Sequence, residues 1–107
     1  MDEVKLKKVM LERGIDIINA ETIEEKALQF ERALRIIINP KNISDRTAFR
    51  QISHWITRKC NDGKFNENTI YRRVIDFALE ASGPKSRNPA AVFTSILKKE
   101  LGYLSDG

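Results

Sequence analysis

At 107 residues, 41% hydrophobic and 32% charged, the chain has the size and composition of one soluble globular domain. No apolar run reaches the length that spans a bilayer, the charged start MDEVKLKK lacks the apolar stretch of a secretory signal, and a single cysteine leaves no internal disulfide. These features point to a cytoplasmic protein. The net charge of +4 is unevenly held: residues 1–43 carry eight Lys/Arg and eight Asp/Glu, whereas residues 44–107 carry eleven against seven. A polyanion-binding face produces such asymmetry, and so does a solvated basic surface.

Residues 2–13 predict a first helix with Val4, Leu6, Val9 and Met10 as its apolar positions. Gly14 is placed to end it in the left-handed conformation, with Ile15 folding back onto Met10. The following DIINAE suggests a short turn packed through Ile17 and Ile18. Thr22 with Glu25 forms a capping-box pattern that opens a helix up to Ile38. Its core face is Ile23, Ala27, Phe30, Leu34, Ile37 and Ile38. Asn39-Pro40 stops it, because proline disfavours helical geometry in the preceding residue.

Ser44 or Asp45 is placed to cap a third long helix, running to about Cys60. At about 100° per residue, Phe49, Ile52, Ile56 and Cys60 share one face. Arg46, Arg50, His54 and Arg58, at steps of four, fall on the roughly opposite one. Asn61-Asp62-Gly63 signals a turn. Asn66 then caps a helix over 67–82, with Ile70, Tyr71, Val74, Ile75, Phe77, Ala78 and Ala81 spread over a broad apolar arc. Arg72 and Asp76 stand at the i,i+4 pairing distance on its polar side. After the loop 83–88, Asn88-Pro89 supplies a cap and a first-turn proline for a helix over 89–101. That helix is expected to bury Val92, Phe93, Ile96, Leu97 and Leu101, to stop at Gly102, and to let Tyr103 pack back on Leu97.

No stretch alternates with the two-residue period of a strand. The sequence therefore predicts an all-α, single-domain, compact bundle of about five helices over residues 1–107, with an ordered core from about 4 to 104.

Enzyme chemistry is poorly supplied. His54 and Cys60 are the sole histidine and cysteine. Six residues apart, they lie roughly 120° apart around one helix and cannot chelate together. No metal site or cofactor is expected. Cys60 reads as a small buried hydrophobe, and His54 as a polar-face residue without the partners of a nucleophilic site. The pairs Glu24–Glu25 and Asp76–Glu80 sit among Lys and Arg on polar faces, which suits solvated ion pairs rather than acid/base work. No glycine-rich phosphate loop is present.

The basic residues suggest nucleic acid as partner, DNA rather than RNA. Three groups are candidates: the stripe Arg46, Arg50, His54 and Arg58, with Thr47, Gln51 and Thr57 as added hydrogen-bond donors; Lys64 with Arg72 and Arg73; and Lys85 and Arg87 in the loop before a helix N-terminus. Trp55, at the border of the apolar and basic faces, reads as a core residue rather than a base-stacking platform. The expected connections are longer than the tight turn of a helix-turn-helix, so mainly phosphate-directed, salt-sensitive binding is the expectation. The role would be regulatory or accessory. A second reading is an interaction module or homodimer that uses Leu28 and Ile36, which lie off the main apolar face of the 22–38 helix: covered by the first helix they are ordinary core, and left exposed they form a seam. The closing segment 88–103, NPAAVFTSILKKELGY, resembles the last helices of phage and plasmid replication-associated proteins. That resemblance implies nucleic-acid work and assigns no residue a role.

Overall fold

A computed structural model of the chain describes residues 2–84 and 86–104. Each helix starts where a short polar side chain takes up an otherwise unpaired N–H group. Asp2 accepts from Lys5 N (2.8 Å) and opens α1, Glu3–Glu12. Thr22 Oγ1 accepts from Glu25 N (3.1 Å) and opens α2, Ile23–Ile37. For α3, Ile43–Asn61, the cap is Asn42, which accepts from Asp45 N at 2.9 Å. The helix therefore begins earlier than the Ser44/Asp45 expectation. Asp45 instead turns its carboxylate back to Lys41 N (3.0 Å), so two side chains close one helix start. Asn66 opens α4, Glu67–Ala81, and Asn88 followed by Pro89 opens α5, Pro89–Leu101.

The helix ends follow equally local rules. Gly14 has φ +68° and lets Ile15 N reach Met10 O (2.9 Å) while Gly14 N reaches Leu11 O (3.2 Å). This is the two-bond left-handed stop. Gly102, at φ 71°, closes α5, and Tyr103 N bonds Leu97 O at 3.2 Å.

Helix pairing follows from the short connectors. Glu31 and Arg50 are about equally far from the 38–42 connector, and they meet in an ion pair, which requires α2 and α3 to run antiparallel. Arg73 and Glu100 relate α4 to α5 in the same way. Hydrophobic burial then joins the two pairs. Phe30 of α2 packs on Tyr71 of α4 (4.9 Å between ring centres), and Phe49 of α3 meets Phe93 of α5 (6.3 Å). Leu34, Ile52, Ile56, Val74 and Leu97 fill the space between and are fully buried. At one end Trp55 is held edge-on between Phe65 and Tyr103. The result is a single all-helical domain of five helices, without a strand among the described residues. Its radius of gyration, 13.0 Å, matches the roughly 13 Å of a compact chain this long.

Several side chains depart from the sequence expectation. Val4, Ile18 and Val92 are exposed rather than buried. Val4 is on the outer side of α1, a helix that anchors mainly through Leu6. Gln29, on the polar side of α2, is buried because it ties down the connector before that helix: it accepts from Asp16 N (3.2 Å) and donates to Glu25 (2.9 Å). Leu28 is exposed, whereas Ile36 packs against the core.

Candidate nucleic-acid interface

The exposed side of α3 is unusual in one respect: from Arg46 through Asn61 it carries no carboxylate at all. Arg46, Arg50 and Arg58 are exposed and His54 is half-buried. The row from residue 46 to residue 58 spans about 18 Å of helix. Steps of four advance about 40° each, so the row is inclined to the axis rather than straight. Arg46 begins it beside the covered flank, and Arg58, also exposed, ends it near the other end of the helix.

That inclination explains one correction. Thr57 falls within the angular range of the row, yet it is buried, where the Tyr71 side chain of α4 reaches it. Its Oγ1 shares a hydrogen bond with Tyr71 Oη at 3.2 Å. It is a core side chain, not a surface donor. Burial also pushes the Tyr71 hydroxyl up to about 12, and it pushes the Cys60 thiol upward as well.

Arg50 is in a special position. Its Nε lies 3.7 Å from Glu31 Oε1, and Arg35 Nη1 lies 3.4 Å from the other oxygen of the same carboxylate. The Glu31 side chain is 9% exposed, while that of Arg50 is 67% exposed. Glu31 is thus a nearly buried anion shared by two arginines at the α2–α3 boundary, both of which keep part of their side chain in solvent. Arg46 and Arg58 have no carboxylate within 4.0 Å among the described residues.

The other candidates are dispersed. Arg87 lies in the 82–88 loop, which Lys41 ties to the start of α3 by donating to Arg87 O (3.0 Å). Arg87 and Lys41 therefore stand at the Arg46 end. Lys64 is exposed in the turn beyond the other end. Arg72 and Arg73 turn to opposite neighbours, Arg72 to Glu3 of α1 (3.1 Å) and Arg73 to Glu100 of α5 (3.8 Å), with Arg73 also over the Phe77 ring. They do not extend the α3 row. Lys85 lies outside the described residues. Trp55 is committed to the Phe65–Tyr103 cluster, with the Lys59 ammonium 5.9 Å from its ring centre. No pattern along the chain marks Arg35 and Lys41, because both join the basic side only through contacts between helices and loops.

Among the described residues no three His, Cys, Asp or Glu side chains gather as a metal site would require, and no helix is long and apolar enough to cross a membrane. Comparisons with protein-family models, with curated proteins and with solved structures give no match to this chain.

Proposed function

We propose that this domain binds nucleic acid, duplex DNA in preference to RNA, through the carboxylate-free face of α3, as a regulatory or accessory protein. The observation that carries the reading is the row Arg46–Arg50–His54–Arg58 on a helix with no acid over residues 46–61, two of whose arginines have no ion-pair partner within 4.0 Å among the described residues. Guanidinium groups present forked donors to phosphate oxygens and to guanine edges. A helix bearing them fits the DNA major groove, whereas the deep, narrow major groove of A-form RNA excludes it. Thr47 and Gln51 add neutral donors, and Arg35, Lys41 and Arg87 add charge at the α2 side and the Arg46 end.

The test is fluorescence anisotropy with a short labelled duplex and a matched RNA at several salt concentrations. The chain should bind the duplex with affinity falling steeply as salt rises. Replacing both Arg46 and Arg58 by Gln should weaken binding and lower the log K–log salt slope by about 1.8, or about 0.9 for each phosphate that is no longer neutralised. A wild-type chain that binds neither polymer, or a double variant that binds as the wild type does, refutes the reading. Arg50 is the wrong residue for charge reversal. Arg50→Glu sets a second carboxylate against nearly buried Glu31, so a loss of binding could not be separated from a loss of fold.

A further inference from the structure

A second feature of the surface has the opposite character. Between α1 and α4, beside the 14–22 connector, lies a half-enclosed cleft of about 470 Å³, within the range of small-ligand sites. It exists because α1 is short and fully buries only Leu6, the next anchors, Ile15 and Ile17, lying in the connector after it, so that it does not lie flush along α4. The floor is apolar: Leu6, Met10, Ile17, Tyr71 and Ile75. Two ion pairs brace its walls, Arg72–Glu3 from α4 to α1 and Lys26–Glu67 from α2 to α4.

The rim is acidic on balance although the chain is basic. Glu3, Asp16, Glu67 and Asp76 face Lys7, Lys26 and Arg72, one negative charge in excess, on a molecule of net charge +4. Glu67 pairs with Lys26 and Glu3 is shared by Lys7 and Arg72, so the negative charge comes from Asp16 and from Asp76. Sequence spacing pairs Asp76 with Arg72, but Arg72 turns to Glu3, leaving Asp76 with no cation within 4.0 Å among the described residues. Asp16 is otherwise engaged, accepting from Asn19 Nδ2 at 2.7 Å, and that bond holds its carboxyl below the usual range.

We propose that this cleft is a binding site for a small apolar amine, with the hydrocarbon body on Leu6, Met10 and Ile75 and the ammonium at Asp76. The body gains by leaving water. The head meets an unpaired carboxylate at the mouth, while an acid of the same length meets a net negative rim.

The experiment titrates the full chain, methyl- and ¹⁵N-labelled, with n-octylamine, n-octanol and octanoate at neutral pH, following the signals of Leu6, Met10 and Ile75. All saturable shifts should fall on these residues, with the amine binding about two- to fivefold tighter than the alcohol, the size of an exposed ion pair, and octanoate weakest. Asp76→Asn, a change at the mouth of the cleft, should erase the amine's advantage and leave the alcohol unaffected. Ile75→Trp should fill the cleft and abolish binding of the amine and the alcohol. Shifts that do not saturate or that lie elsewhere overturn the proposal. So does octanoate binding as tightly as the amine, or a preference that survives Asp76→Asn.

Discussion

Individual side chains set the stability of this domain in two ways. Phe30 and Phe49 are completely buried and pack against the rings of α4 and α5. Truncating either to Ala should cost about 3–5 kcal/mol, read from the midpoint of urea unfolding, through lost transfer energy and the cavity left behind. Tyr71 acts through its proton. Burial raises its pKa from 10.0 to about 12, so the folded state keeps a proton that the unfolded chain has already released. The unfolded state then binds fewer protons, and stability must fall as pH rises from 10 toward 12, being fully present below 10. Unfolding midpoints measured across that range should decline, and Tyr71→Phe should flatten the decline while losing the Thr57 hydrogen bond.

Among the helices, the starts and stops are separable contributions. Thr22→Ala removes the acceptor for Glu25 N and should cost about 1 kcal/mol in thermal or urea unfolding. Gly14→Ala meets no neighbouring atom within 4 Å, so its cost is conformational only, about 1 kcal/mol for forcing a Cβ into the left-handed region. These devices depend on neighbouring residues alone, which is why T-x-x-E, Asn88-Pro89 and the helix-ending glycines are legible directly in the sequence. The start of α3 is less so, because Asn42, Ser44 and Asp45 are all competent caps. In the structure Asn42 takes the cap and Asp45 answers it from the first turn by accepting from Lys41 N.

For the whole molecule, the arrangement of charge depends on helix pairing. Glu31 sits nearly buried between Arg35 and Arg50 because α2 and α3 are antiparallel. Arg50→Glu should therefore destabilise the fold by about 1–3 kcal/mol, since it leaves Glu31 short of a partner and adds a like charge beside it. Arg46→Glu or Arg58→Glu should change the urea midpoint little, as exposed side chains with no ion-pair partner among the described residues. Finding all three equal would show that the Glu31 contact contributes nothing to stability.

The sequence by itself determined that the chain is helical, where four of the five helices begin to within a residue or so, which glycines end them, and that one helix carries basic residues at steps of four. Each of these depends on interactions within one or two turns of chain. Only the tertiary structure decided the surroundings of those residues: that Thr57 is core, that Arg72 abandons Asp76 for Glu3, that Arg72 and Arg73 point away from the α3 row, and that Arg35 and Lys41 join it. A periodicity tells which residues share a side of a helix, but not which neighbour covers that side. Exposure and ion pairing are properties of the packed assembly, because they depend on which side chains of other helices come beside each residue.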